Sequence, residues 1–162
     1  MTRFIISLSL LLGVASSAFA DQGTWITASN GQTGPNPVSV GREGGKNSYV
    51  CRIGNEGIVG KLIKVDGKCY IGYYGKEYAY TTYQVLQDKY GRMRFFYSTS
   101  LSDPYLVHGG REGGQELHIC RVRKGNDFVG GKMVGSTQNG KCYYGWYGKE
   151  LVATVFEALT DA

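Results

Sequence analysis

The chain has 162 residues and a formal net charge of +5, and it carries 25 Gly and 13 Tyr against only three Pro. The basic excess is spread along the chain with no Lys/Arg block, so charge gives no argument for a nucleic-acid partner. Glycines interleaved with short aromatic runs, and no segment with an amphipathic helical period, indicate an all-β chain with tight turns.

In chain order, residues 1–20 have the layout of a secretory signal peptide. Arg3 supplies the positive start, Phe4 to Val14 is mostly apolar, and Ala18-Phe19-Ala20 forms a small-x-small cleavage site before Asp21. The apolar run is too short to span a bilayer, so the expectation is a secreted product, extracellular or periplasmic, without membrane insertion. Trp25 then opens a short strand, and Asn30-Gly31 and Gly34-Pro35 mark turns. Pro37 to Val40 leads into Gly41-Arg42-Glu43-Gly44-Gly45, an acidic turn flanked by glycine that recurs as Gly110-Arg111-Glu112-Gly113-Gly114.

The segments after the two copies match as well. Cys51-Arg52 matches Cys120-Arg121, Gly60-Lys61 matches Gly131-Lys132, and Lys68-Cys69-Tyr70 matches Lys141-Cys142-Tyr143. Tyr74-Gly75-Lys76-Glu77 matches Tyr147-Gly148-Lys149-Glu150. The order and near-constant spacing define a tandem duplication, with repeats over 24–89 and 90–160. Within each repeat the pattern predicts a strand at Ser48–Ile53 or Leu117–Val122, and a second at Ile58–Val65 or Phe128–Val134. The second ends at Asp66-Gly67 or Asn139-Gly140, both hairpin signals. A third strand covers Tyr70–Tyr74 or Tyr143–Tyr147, and a fourth covers Tyr78–Leu86 or Leu151–Leu159, where β-branched and aromatic residues favour strand over a short helix in the Ala-containing second copy. Phe95-Phe96-Tyr97 is expected to restart in the second repeat the role of Trp25 in the first.

Four cysteines in an exported chain suggest two disulfides. Their equivalent positions make Cys51–Cys69 and Cys120–Cys142 the simplest pairing, although four cysteines allow three pairings and an inter-repeat Cys51–Cys120 link stays open. A metal site is disfavoured, since the spacings are not CxxC and neither His108 nor His118 has a counterpart in the first repeat.

Polar residues present in both halves are candidates for a duplicated role. They are Arg42/Arg111, Glu43/Glu112, Arg52/Arg121, Lys61/Lys132, Lys68/Lys141, Lys76/Lys149 and Glu77/Glu150. A carboxylate beside an ammonium, flanked by aromatic rings, suits a sugar. The carboxylate accepts hydrogen bonds from vicinal hydroxyls, lysine donates to their lone pairs, and Tyr or Trp covers the C–H face of the ring. The structural alternatives are a surface ion pair at Arg42-Glu43, edge-protecting charge at Lys76-Glu77, and buried salt bridges at Arg52 and Arg121.

The succession YVCR, GK, KCY and YGKE, closing on Y-x-V-L or F-E-A-L, resembles the DM-nine repeat family over nearly all of 24–159. The resemblance implies two antiparallel β repeats intertwined about a pseudo-twofold axis, with one sugar pocket per repeat. Family members include mannose-binding lectins that act in innate recognition of microbes. In those lectins an acidic residue of the first turn and the lysine of a Pro-Gly-Lys segment hold mannose, which carries over to Glu43 with Lys61 and to Glu112 with Lys132. The acidic residue is typically Asp in the mannose binders, and Val59 and Gly130 stand here where they have proline.

The expectation is therefore a non-catalytic lectin with mannose or related hexoses as partners, with no cofactor, no metal and no nucleic acid, and with room for a homodimer. An interaction or toxin-associated module without a sugar ligand is the alternative. A hydrolase is disfavoured because Glu43 and Glu112 are equivalent residues of separate repeats. A glycosidase needs two carboxylates in different environments at about 5–10 Å, and no Ser/His/Asp or Cys/His set stands out.

Overall fold

In the computed structural model, residues 23–97, 105–134 and 140–161 are described. The signal-peptide reading of 1–20 and the Asn139 half of one hairpin signal lie outside them. The first repeat forms β1 (Thr24–Ser29), β2 (Ser39–Glu43), β3 (Lys46–Ile53), β4 (Ile58–Ile63), β5 (Lys68–Tyr73), β6 (Lys76–Tyr80) and β7 (Thr82–Gln87). The second forms β8 (Met93–Tyr97), β9 (His108–Glu112), β10 (Gln115–Lys124), β11 (Asp127–Val134), β12 (Cys142–Trp146), β13 (Lys149–Ala153) and β14 (Glu157–Asp161). The fold is all-β, with one 3-10 turn at Lys64–Asp66 among the described residues.

The strands make one antiparallel sheet in the order β1-β7-β3-β4-β5-β6-β13-β12-β11-β10-β14-β8, with β2 hung on β3 and β9 on β10. Advancing each label by seven reads the order back to front, so the duplication in the sequence is a pseudo-twofold axis in space. The axis passes between β6 and β13, which meet through Lys76 and Lys149. Their hairpin tips exchange backbone hydrogen bonds, from Glu77 N–H to the Gly148 carbonyl and from Glu150 N–H to the Gly75 carbonyl, each at 3.0 Å.

Each predicted fourth strand is in fact two, and this corrects the sequence reading. The β-branched run through Thr81 and Thr82 looks continuous, but the chain bends at Thr81, whose carbonyl accepts from Asn30 N–H at 3.1 Å. Before the bend β6 pairs with β5, and after it β7 crosses to pair with β1 and β3. The second repeat repeats this break between β13 and β14. The predicted second strand of the first repeat also stops early, at Ile63. There the 3-10 turn carries the chain to Gly67, whose left-handed φ of 69° suits glycine.

The disulfides are Cys51–Cys69 and Cys120–Cys142, and each lies in its own repeat's apolar cluster. A third cluster is shared. Val40, Val50, Val59 and Leu86 of the first repeat pack with Val107, Leu117, Ile119 and Leu159 of the second. The repeats are thus intertwined through a common core. Contact is close enough that a Cβ on Gly110 would stand 2.1 Å from the Gly57 carbonyl oxygen.

Trp25 and Phe95 do play matching parts. The Arg52 guanidinium lies over the Trp25 ring at 4.1 Å and that of Arg121 over Phe95 at 4.4 Å. Arg121 pairs with Glu157, as the buried salt-bridge reading of these arginines requires, whereas Arg52 takes the neutral Gln84 at 2.7 Å instead. Each arginine also reaches across the axis, Arg52 to the Gly109 carbonyl and Arg121 to the Val40 carbonyl, both at 2.8 Å. These bonds hold the start of the opposite repeat's acidic hairpin.

Candidate functional site

The duplicated Glu and Lys come together in both repeats. Lys61 projects from the middle of β4, in register with Val50 on one side and Tyr70 on the other. Only 3% of its surface is exposed, a degree of burial that lysine tolerates only when its charge is paired. Its Nζ donates to Glu43 Oε1 at 2.7 Å and to the Gly145 carbonyl of the other repeat at 2.7 Å. A third acceptor, Glu77 Oε2, lies farther off at 3.4 Å. The second site repeats the pattern. Lys132, 1% exposed, donates to Glu112 Oε1 and to the Gly72 carbonyl, with Glu150 Oε2 at 3.2 Å.

Glu77 and Glu150, duplicated polar positions for which edge-protecting charge at Lys76-Glu77 is the structural alternative, are members of the site. Strand alternation turns Lys76 and Lys149 to solvent and their neighbours inward. Glycine at 72 and 145 makes room for them, since a Cβ at Gly145 would stand 2.1 Å from Glu77 Oε2 and one at Gly72 2.6 Å from Glu150 Oε2. Their signal in the sequence was the duplicated polar position. What the sequence does not give is the contribution of the opposite repeat: a carbonyl and an aromatic ring for each ammonium. Lys61 Nζ lies 5.5 Å from the Trp146 ring centroid, and Lys132 Nζ lies 5.7 Å from that of Tyr73. No site is complete within one repeat.

The acidic turn is also fixed across the axis. Glu43 is the last residue of β2, and the Gly44-Gly45 turn behind it is held by Gly44 N–H donating to Asp127 Oδ2 of β11 at 2.9 Å. Arg42 closes the same turn on itself, bonding the Gly45 carbonyl at 2.6 Å, so it serves the turn rather than pairing with Glu43. Burial pushes the Glu43 carboxyl above its usual pKa, Lys61 opposes this, and the Glu77 and Asp127 charges add to the rise. Its second oxygen, Oε2, has no hydrogen-bond partner. That oxygen is buried, so its unused acceptor capacity is not open to solvent.

Around this pair is a cavity of about 380 Å³, lined by Glu43, Lys61, Tyr70 and Glu77 of the first repeat and by Trp146 and Tyr147 of the second. Its volume falls within the roughly 300–1,000 Å³ of small-molecule sites. Charge at the rim is mixed. Lys46 pairs with Asp66 at 2.8 Å, and Lys124 and Asp127 are also part of the lining. The two other duplicated lysines, Lys68 and Lys141, are exposed and not part of this lining. Among the described residues, no cluster of three or more His, Cys, Asp or Glu is arranged to hold a metal ion, and no helix is long and apolar enough to cross a membrane.

Comparison with known proteins gives likeness to solved structures and a family. The crystal structure of the nematode sperm cell motility protein MFP2B superposes on all of this chain with a TM-score of 0.61, at 13% identity. This chain spans half the length of that one, and at such identity the likeness speaks for the fold alone. No curated protein matches. The DM9 (DM-nine) repeat profile matches twice, over residues 11–79 and 42–153, which together take in both acidic turns, both buried lysines and all four cysteines. The chain belongs to the DM9 repeat family.

Proposed function

We propose that this protein is a secreted, non-catalytic carbohydrate-binding protein with two sites of mannose type, one at Glu43–Lys61 and one at Glu112–Lys132. The observation that carries this reading is the composition of the first cavity. A carboxylate whose Oε1 is held by the ammonium, and an ammonium whose third contact is long, line it together with Trp146 and Tyr70. Vicinal sugar hydroxyls donate to Glu43 and accept from the third Lys61 N–H, displacing the long Glu77 contact, while an aromatic ring takes the apolar face. Lys61 and Lys132 act mainly through their carboxylates, because two of three N–H bonds on each are already made. Microbial glycans are natural ligands for such a site.

Two disulfides fit an oxidising compartment outside the cytosol. Two sites on one chain raise the avidity for a multivalent glycan surface through effective concentration, and a homodimer would extend this. A glycan array on the protein lacking residues 1–20 is the test, with Glu43→Ala/Glu112→Ala as control. Binding by wild type that is lost in the double variant is the expected result. An array with no wild-type binding would overturn the sugar reading in favour of a protein-interaction module. Undiminished binding by the double variant would move the site elsewhere.

A further inference from the structure

Among the described residues, three that are not glycine adopt a positive φ: Asn30 at 50°, Tyr74 at 46° and Tyr147 at 48°. Asparagine is at home there, because its short polar side chain tolerates the left-handed region. A bulky aromatic is not. The two tyrosines occupy the same position in the two repeats. Each is the first residue of a two-residue hairpin loop, Tyr74-Gly75 between β5 and β6 and Tyr147-Gly148 between β12 and β13. With φ positive at both loop residues, these are turns of the kind for which Asn-Gly is the favoured pair. In both repeats tyrosine stands where the turn favours asparagine.

Packing does not account for the choice. Tyr74 is 82% exposed and Tyr147 86%, so neither ring is buried in the core. What each ring does touch is the aromatic residue before it. Tyr147 meets Trp146 edge-on with centroids 4.9 Å apart, and Tyr74 meets Tyr73 at 4.4 Å. Trp146 and Tyr73 are the rings beside the buried ammoniums, and Tyr147 lines the first cavity. The turn thus holds a solvent-facing aromatic face beside the site, at right angles to the ring within it. Strained backbone that persists next to a cavity is a recognised mark of a functional position.

We propose that Tyr147, and Tyr74 at the second site, form an outer subsite that stacks on the next pyranose ring of an oligosaccharide whose first ring is held by Glu43–Lys61 or Glu112–Lys132. The inference rests on the sugar-binding reading of those sites and adds a chain-length preference to it. The inner site takes one hexose through charged hydrogen bonds. The tyrosine takes the apolar C–H face of the neighbouring ring, a contact that requires the side chain to stay exposed and the turn to stay fixed.

The test exploits the opposition between turn and ring. Titration calorimetry with mannose and with an α-linked mannobiose is run on wild type, Tyr147→Asn/Tyr74→Asn and Tyr147→Phe/Tyr74→Phe, each with a thermal melt. Wild type is expected to bind the disaccharide about fivefold more tightly than the monosaccharide. The Asn variant loses that disaccharide-over-monosaccharide gain and melts about 3 °C higher because asparagine relieves the left-handed strain. The Phe variant keeps the gain and the wild-type melting temperature. Equal wild-type affinity for the two sugars, or an Asn variant that retains the disaccharide gain, overturns the subsite while leaving sugar binding intact. Absence of binding to either sugar by wild type overturns both readings.

Discussion

The two sites share a frame and differ in their walls. In each, a strand-borne lysine bonds one glutamate at the end of a short hairpin strand, approaches a second at a β-hairpin tip, and bonds a glycine carbonyl from across the axis. Around that frame the first site has Trp146, the second Tyr73. The first has Lys46, paired with Asp66, at the position that Gln115 takes in the second. The first ties its acidic turn to the Asp127 carboxylate, whereas in the second the Arg111 N–H donates to the Glu56 backbone carbonyl at 2.7 Å. The frame is electrostatically demanding, because a buried ammonium leaves little freedom in its partners. The walls are half-exposed, and there the copies have diverged. A duplicated site can thus keep one chemistry while its two copies differ in strength.

The largest effects should fall on the frame and strike both repeats alike. Lys61→Met leaves Glu43 and Glu77 facing each other without their cation, and Lys132→Met does the same to Glu112 and Glu150. Each is expected to cost about 3–5 kcal/mol, read from urea unfolding. A cost that differs severalfold between the two would show that the shared geometry hides different energetics. Next come the disulfides. Closing loops with sequence separations of 18 and 22 residues contributes about 3 kcal/mol each in the loop-entropy picture. Cys51→Ala/Cys69→Ala and Cys120→Ala/Cys142→Ala should therefore lower stability by similar amounts in the same unfolding measurement.

That symmetry explains which features were legible in the sequence. Glu43, Lys61 and their counterparts stood out because both copies retain the frame, and the cysteine pairing followed from the same equivalence. The strand break at Thr81 was hidden, since β-branched residues favour extended chain on either side of a bend and nothing local records that the strand changes partners there. Glu77 was visible as a duplicated charge, but its inward orientation depends on Gly145 leaving room in the opposite repeat. Trp146 and Tyr73 were hidden for the same reason. They serve the lysine of the other repeat, and sequence spacing within one repeat carries no trace of a contact made across the pseudo-twofold axis.

The walls should produce smaller and unequal effects, confined to affinity. Trp146→Ala removes the ring beside Lys61 and is expected to weaken sugar binding at the first site by about tenfold. Tyr73→Ala should weaken the second by about threefold, in keeping with the smaller ring. Calorimetry on the two variants resolves the copies. Equal losses would mean that the walls differ in sequence without differing in function.

The smallest effect is in the pH dependence, and it isolates one carboxylate. Burial is the main cause that raises the Glu43 pKa above its ordinary 4.5, with the Asp127 charge a lesser one. A raised carboxyl pKa means that the folded state holds the proton more tightly than the unfolded chain does. The resulting contribution to stability is present in full below the unfolded value and is lost as pH rises through the folded one. The proposed sugar binding would run the other way, because hydroxyls donate to the charged form. Acidification through the raised pKa should therefore weaken the first site at a higher pH than an unperturbed glutamate would, while Glu43's own contribution to stability improves. Asp127→Asn keeps an oxygen for the Gly44 N–H but removes the charge, and it should shift the binding midpoint of the first site to lower pH. Glu43→Gln should abolish that titration altogether. A midpoint that stays put in Asp127→Asn would show that the Asp127 charge does not reach Glu43. The wall on that side would then differ between the copies only in how it holds the turn.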